Sequence, residues 1–338
     1  MPIRFGILGF GLHAVRRLMP GFRLAQNAQV SALSRRDLEQ ARASAREFGI
    51  PLAFGSAAEL CQSKEVDAIF VTTPNACHHA DVLLALDCGK PVLCEKPMAL
   101  NAAQCREMIS AARRRHLLLG IAQIFRFEES TNRLRQRLQA GEIGRPVFAR
   151  AEFSYWGSGH ARTWINDLAV SGGGPIADVG VHCIDALRFI LDDEAASVQA
   201  TGVSDQQSGE VECAAVLNLQ FAKGTLASIL VSTRAQYRTP LEFVGQEGVL
   251  FAHNGLTVDH PIRLELRREG RIVETEELSN HLAYARQVDA FAAAVEDKAA
   301  FPIPGEEGLR NQLVLDAAYR SLKSGRRELI ADQESLTA

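Results

Sequence analysis

The run Pro91 to Cys94 reads as a short strand, and it delivers Cys94-Glu95-Lys96-Pro97 at its carboxyl end. In open α/β sheets ligands bind just outside such ends. A lysine there can polarise a carbonyl or help deprotonate a hydroxyl. Pro97 has no N–H and stiffens the turn, so the segment can hold Glu95 and Lys96 at fixed angles. The competing reading is an exposed lysine ahead of a turn. A second cluster runs from Gly172-Gly173-Gly174-Pro175 through Asp178 and His182 to Asp185. Its glycines and proline open a helix expected over Ile176 to Leu191, as suits a loop needing close backbone approach. Asp178, His182 and Asp185 follow i, i+4, i+7 spacing and share a face, with Ile176, Val179, Cys183, Leu187 and Ile190 roughly opposite. Ionisable groups on an otherwise apolar helix are costly to bury unless paired. His182 can act as a general base near neutral pH. Asp178 can orient it and stabilise its cation. Spacing alone allows equally a helix-start anion and a satisfied core histidine.

Gly9-Phe10-Gly11-Leu12-His13-Ala14 reads GxGxxA directly after an apolar strand, Ile3 to Leu8, and opens a helix expected over Ala14 to Ala25. Gly9 permits the tight turn, and Gly11 lets the backbone approach a pyrophosphate whose charge rests on the helix N-terminus. Ala14 lets helix and strand pack closely. The end of the second strand chooses between cofactors. An acidic residue there would bind the ribose 2′-hydroxyl of NAD, but this chain offers Ser34-Arg35-Arg36. Guanidinium groups suit a 2′-phosphate, so NADP(H) is favoured and NAD(H) remains possible. Asp37 arrives later, where it would cap the next helix. The alternative is that both arginines are solvated surface charge.

These residues need a scaffold that the rest of the chain describes. The first ~120 residues alternate strand and helix signals, which implies a parallel, doubly wound α/β sheet. After about Gln123 the pattern changes to short β-rich runs between Ser197 and Thr275, closed by helices near Leu282 to Glu296 and Glu306 to Lys323. Two domains are expected. Residues 1–123 form the dinucleotide-binding domain, and residues 124–338 form an α+β domain with a large, mostly antiparallel sheet. Apolar residues make up 47% of the 338 and charged residues 23%, with a net charge of -3, so a nucleic-acid partner is not expected. Arg113-Arg114-Arg115 falls late on a helix, where cations suit the macrodipole. The seven cysteines lack CxxC spacing, so neither a zinc site nor a disulfide framework fits, and reduced thiols point to the cytoplasm. No leader pattern precedes the first strand, and no apolar run approaches a membrane span, so no membrane partner is expected.

With these features in this order, the chain resembles the Gfo/Idh/MocA family, which includes glucose–fructose oxidoreductase and inositol dehydrogenases. The likeness rests on the GxGxxA loop, Thr72-Thr73-Pro74-Asn75 with His78, and Gly89 to Pro97 with its Glu-Lys-Pro. Arg126-Phe127, the Gly172 to Asp185 segment and Pro304-Gly305-Glu306-Glu307-Gly308 complete it. The resemblance implies a catalytic lysine at Lys96, with Asp178 and His182 as its partners. It implies cofactor contacts at Gly9, Gly11, Thr73, Pro74, Asn75, His78 and Glu95, with Phe10, Leu12 and His13 in the same loop. It further implies a cis Lys96–Pro97 peptide, an amide at Gln123 lining the nicotinamide site, and an open sheet face that supports a homodimer or homotetramer. Tyrosine replaces the histidine in the dihydrodiol-dehydrogenase branch, so His182 points to sugar and cyclitol dehydrogenases.

The expected reaction is reversible oxidation of a secondary alcohol on a sugar, cyclitol or related polyol. Trp156 and Trp164, near Arg162 and Asn166, would suit a polyhydroxylated ring, although ordinary loop packing explains the tryptophans as well. Two rivals stand beside it: an NAD-dependent glycosidase of the same fold, and a non-catalytic nucleotide-sensing regulator. Retention of Lys96, Asp178 and His182 together argues against the regulator.

Overall fold

The computed structural model describes residues 1–157 and 163–330. The chain divides into two compact units. One comprises Met1–Ile124 with Leu282–Leu309, and the other Phe125–His281 with Arg310–Ala338. The sequence boundary between residues 123 and 124 therefore lies one residue from the first division. The expectation of an uninterrupted second segment needs correction, because Leu282–Leu309 returns to the first unit.

The first unit holds β1 (Ile3–Leu8), β2 (Ala28–Ser34), β3 (Leu52–Phe54), β4 (Ala68–Val71), β5 (Val92–Glu95) and β6 (Leu119–Ala122). They form one parallel sheet in the order β3-β2-β1-β4-β5-β6. This is the dinucleotide-binding order, with its switch point between β1 and β4. Strands β4, β5 and β6 are buried throughout, which is why their sequences read as continuous apolar runs rather than alternations. The helix starts follow local chemistry. Side chains of Asp37, Ser56 and Asn101 each accept the backbone N–H three residues on, at Gln40, Glu59 and Gln104. The helix expected from Ala14 begins as a wide π-helical turn, Ala14–Leu18, and becomes α-helical over Met19–Leu24. Pro20 lacks the N–H that a regular α-helix would donate back to Arg16.

Aromatic packing explains why Leu282–Leu309 joins this unit. The Phe291 ring, on the helix Ala283–Val295, lies 5.9 Å from Phe5 of β1 and 5.2 Å from Phe301. Phe5 in turn meets Phe22 edge-on at 5.3 Å. Asp289 accepts backbone N–H groups of Gln26 and Asn27. Ile121 of β6 donates its N–H to the carbonyl of Ile303. Hydrophobic periodicity identifies such a helix but carries no address for it.

The second unit is built on one ten-stranded sheet. Its strands are β7 (Pro146–Trp156), β8 (Ala195–Val203), β9 (Ala214–Phe221), β10 (Leu226–Ser232), β11 (Arg234–Arg238), β12 (Leu241–Gly245), β13 (Val249–His253), β14 (Ile262–Arg268), β15 (Arg271–Leu278) and β16 (Glu328–Leu329). The order is β15-β14-β13-β12-β7-β10-β9-β8-β16, with β11 also on β7. Pairing is antiparallel except between β7 and β10. Helices Glu129–Gln139 and Val181–Leu191 pack together, and the latter packs on β7. Side chains alternate across the sheet. Ala149 and Ala151 are buried, whereas Phe148, Val216 and Leu226 are exposed on the other face. Among the described residues no helix is long and apolar enough to cross a membrane.

Phe291 is fully buried at the centre of the aromatic cluster. Phe291→Ala is expected to destabilise the first unit by about 3–5 kcal/mol, read as a lower urea midpoint for that unit. An unchanged midpoint would refute the role assigned to this helix.

Candidate active site

In the first unit the predicted cofactor residues gather at the carboxyl ends of the strands. Gly9 has φ +88°, and a Cβ there would lie 2.6 Å from Thr73 Cγ2. Only glycine permits both the conformation and this approach of the loop after β4. A Cβ on Gly11 would meet nothing closer than the Gly9 carbonyl at 3.7 Å, so its backbone is open to an approaching group. The helix that follows has no side-chain cap and no acidic residue in its first turn. Its first N–H groups therefore suit an anion. Phe10 is buried against Phe48, so only its backbone belongs to the loop's open side, while Leu12 is exposed.

At the end of β2 the two arginines differ. The Arg35 guanidinium bonds Ser44 Oγ and Gln40 Oε1, both at 2.9 Å, and so is turned onto the helix Leu38–Phe48 that follows. Arg36 is exposed, and Asp37 caps the helix as expected. Ser34 is buried, with its carbonyl accepting the Phe10 N–H at 3.0 Å.

Beyond β4, Thr73 Oγ1 donates to Asp81 Oδ2 at 2.7 Å, and Pro74 leads into the helix Asn75–Asp87, where Asn75 is buried. His78 is buried, with Nδ1 2.9 Å from the Pro97 carbonyl and Nε2 2.8 Å from the Thr73 carbonyl. Burial pushes its pKa down, and the two carbonyls oppose that only in part. The ring ties the β4 loop to the Glu-Lys-Pro turn, so its place in the site is indirect. Glu95 is buried, accepting from His13 Nε2 at 2.9 Å and from the Lys96 N–H at 3.2 Å. Burial pushes its carboxyl up, but His13, Lys96 and His78 outweigh that and hold it below the usual carboxylate range. Lys96 follows, half-buried, on a cis Lys96–Pro97 peptide. Gln123 is buried after β6, and its side-chain oxygen has no hydrogen-bond partner among the described residues. An open helix start, an exposed guanidinium and a buried acceptor awaiting a donor fit a phosphate-bearing dinucleotide with a carboxamide at one end.

The second unit presents Asp178 and His182. Alternation along β7 puts Phe153 and Tyr155 on the face that carries the helix. The Phe153 ring lies nearly parallel to the His182 imidazole, 6.1 Å away at 25°, and Phe125 meets the imidazole edge-on at 4.6 Å. Tyr155 donates its hydroxyl proton to Asp178 Oδ2 at 2.7 Å. The expected helix starts as a π-helical turn, Ile176–Gly180, before Val181–Leu191. Its N-terminus has no local side-chain cap. Instead Glu212, from far along the chain, accepts the N–H of Gly174 at 3.1 Å and of Ile176 at 2.9 Å, and the Tyr319 hydroxyl at 3.1 Å. A Cβ on Gly173 would collide with Tyr319, and one on Gly174 with the Glu212 backbone. Close approach of the glycines is thus to protein groups. Burial pushes the Glu212 carboxyl up against those donors, and burial with Glu212 nearby pushes the Tyr319 phenol well up.

Three expectations change. Asp185 shares the face predicted for Asp178 and His182, yet its carboxylate is held by both Nε and Nη2 of Arg126 at 2.8–3.1 Å and by Asn311 Nδ2 at 2.8 Å. This is a buried structural ion pair. Trp156 follows Tyr155 in β7, so alternation turns it to the opposite face, away from Asp178. Asn166 donates to the Gln207 carbonyl at 3.0 Å and braces a loop. Trp164 is half-buried on the turn Thr163–Asn166, and Arg162 lies outside the described residues. The sequence reading passed over Tyr155 and Glu212. The alternation of β7 signals the first, and no local pattern signals the second.

Residues 3–123 match an oxidoreductase family with an NAD-binding Rossmann fold, and residues 131–251 match the GFO/IDH/MocA C-terminal domain. The chain is 31% identical over 308 residues to 1,5-anhydro-D-fructose reductase of Ensifer adhaerens, covering 90% of this chain and 92% of that one. It is 30% identical over 332 residues to D-xylose 1-dehydrogenase (NADP(+)) 2 of Haloferax volcanii, covering 95% and 98%. A 3-ketoreductase from Actinomadura kijaniata, solved with NADP and TDP-benzene, has a TM-score of 0.86 at 26% identity, covering 95% and 98%. Both halves of the chain are matched, the relatives are dehydrogenases and reductases, and the protein belongs to the Gfo/Idh/MocA family of oxidoreductases.

Proposed function

We propose that the protein interconverts a secondary alcohol and a ketone on a sugar, cyclitol or related polyol, with NADP(H) as its cofactor. The observation that carries this reading is the setting of His182, an imidazole packed between two aromatic rings, one helical turn from a carboxylate fixed by Tyr155. In the oxidation direction His182 takes the hydroxyl proton, and Asp178 stabilises the resulting cation. Lys96 stabilises the negative charge developing on the substrate oxygen. Glu95, His13 and the stiff Lys96–Pro97 turn hold that lysine's backbone in place. A bound NADP(H) would supply the hydride chemistry at the reacting carbon. The Gly9–His13 loop, Thr73 to Asn75 and Gln123 would hold the dinucleotide, and Arg36 would meet its 2′-phosphate. The 1,5-anhydro-D-fructose reductase and D-xylose 1-dehydrogenase relatives support the sugar class, and the NADP(+) of the latter and the NADP bound to the 3-ketoreductase support the cofactor.

The open face of the larger sheet supports a homodimer or homotetramer in which a second copy covers Phe148 and Leu226. The two are direct cross-strand neighbours and about half exposed. The seven cysteines, none in CxxC spacing, support a place in the reducing cytoplasm.

A screen of polyols and ketoses with NADP(H) and NAD(H) is expected to give net, reversible hydride transfer. Lys96→Ala should lower kcat/KM about a hundredfold or more. Full activity in that variant sinks the mechanism, and sugar hydrolysis without net NADPH formation would indicate the glycosidase reading. Arg36→Ala is expected to weaken NADP(H) by about tenfold or more while sparing NAD(H), with Arg35→Ala the lesser effect. The reverse order would overturn the assignment to Arg36. Light scattering of Phe148→Arg/Leu226→Arg should show a smaller assembly than the unmodified chain, and equal masses would count against this face.

A further inference from the structure

The Tyr155 hydroxyl has no role of its own in the chemistry above, yet it makes a short bond to a catalytic carboxylate. We propose that Tyr155 is a positioning residue, which fixes the Asp178 carboxylate one helical turn from the His182 imidazole for proton transfer. The proposal rests on His182 acting as the base.

The first support is the platform. Tyr155 sits on β7, an interior strand of the larger sheet, with β10 bonded along one side and β12 and β11 along the other. Such a strand moves little. Its alternation hands Phe153 to His182 and Tyr155 to Asp178, two residues apart on one face. A single strand therefore sets the distance between the two partners.

The second support is the chemistry of the bond. An O–H donor on a carboxylate makes a charge-assisted bond, shorter and stronger than a neutral one, and 2.7 Å suits it. A phenol on a rigid ring also loses little rotamer freedom in holding it. The third support is what restrains Asp178 elsewhere. Its own N–H donates to the Gly174 carbonyl at 3.0 Å, and Glu212 anchors the N–H of Gly174. The main chain is held at one end and the carboxylate at the other. Proton transfer is steep in geometry, so an aspartate free to rotate on this wide turn would stabilise the His182 cation poorly. Tyr155 keeps its own proton throughout. The proton that moves is the substrate's, and it ends on His182.

The test compares wild type, Tyr155→Phe, Asp178→Asn and the double variant by steady-state kinetics, NADPH titration and thermal melting. Tyr155→Phe keeps the ring and removes only the donor. It is expected to lower kcat about tenfold to a hundredfold, with KM, NADPH affinity and Tm nearly unchanged. In the Asp178→Asn background the same change should alter kcat by less than about twofold, because a residue acting through Asp178 has nothing left to act on. Tyr155→His, which retains a donor, should keep more activity than Tyr155→Phe. Wild-type kcat in Tyr155→Phe overturns the proposal. So does an equal loss in both backgrounds, or a loss confined to KM. A wild-type chain that transfers hydride to no polyol or ketose fails at the earlier reading instead, before any variant is compared.

Discussion

The bond that sets the helix start carrying Asp178 and His182 is the one between the buried Glu212 carboxylate and the N–H groups of Gly174 and Ile176. A helix start leaves N–H groups without intrahelical partners, and here no neighbouring side chain satisfies them. A carboxylate aimed at that start is favoured by hydrogen bonding and by the helix dipole, and it offsets part of the cost of its own burial. Tyr319 bonds the same carboxylate, and the Tyr319 ring and the Glu212 backbone leave room only for glycine at 173 and 174. The glycine run, the wide helical turn and the placement of Asp178 and His182 all follow from seating a backbone segment on a buried acid.

The first unit solves a related problem with different groups. Its anion-ready helix start is left uncapped, with no acid in the first turn. The buried Glu95 carboxylate accepts from His13 and from the Lys96 N–H, so its charge is answered locally. The His78 ring fills the space between the loop after β4 and Pro97, with one ring nitrogen close to each of their carbonyls. Loop, turn and strand ends are thereby brought together, and Arg36 is exposed after β2. One unit fills its helix start with a protein carboxylate and the other leaves its own open, as suits a structural anchor in one case and a phosphate site in the other.

Much of this was legible in the chain because it rests on local rules. Strand and helix periods, the cap at Asp37, and the loop from Gly9 to Ala14 each depend on residues within a few positions of one another. The placement of Lys96 at a strand end needed only the recognition of β5. The parallel, doubly wound sheet followed from the alternation of strands and helices. Asp178 and His182 could be paired by helical spacing, though spacing could not separate them from Asp185, whose carboxylate is engaged by Arg126 and Asn311.

By itself, then, the sequence determined the element types, the open dinucleotide loop and the residues that could do chemistry, because these follow from short-range geometry and side-chain type. Only the tertiary structure decided which of them are free to act. It turned Arg35 back onto Gln40 and Ser44 and left Arg36 exposed. It sent Trp156 to one face of β7 and Tyr155 to the other, brought Glu212 to a helix start far along the chain, and returned Leu282–Leu309 to the first unit through Phe291. Each of those outcomes is a contact between residues distant in sequence, set by packing and by the need to pair buried polar groups, and no local pattern encodes its partner.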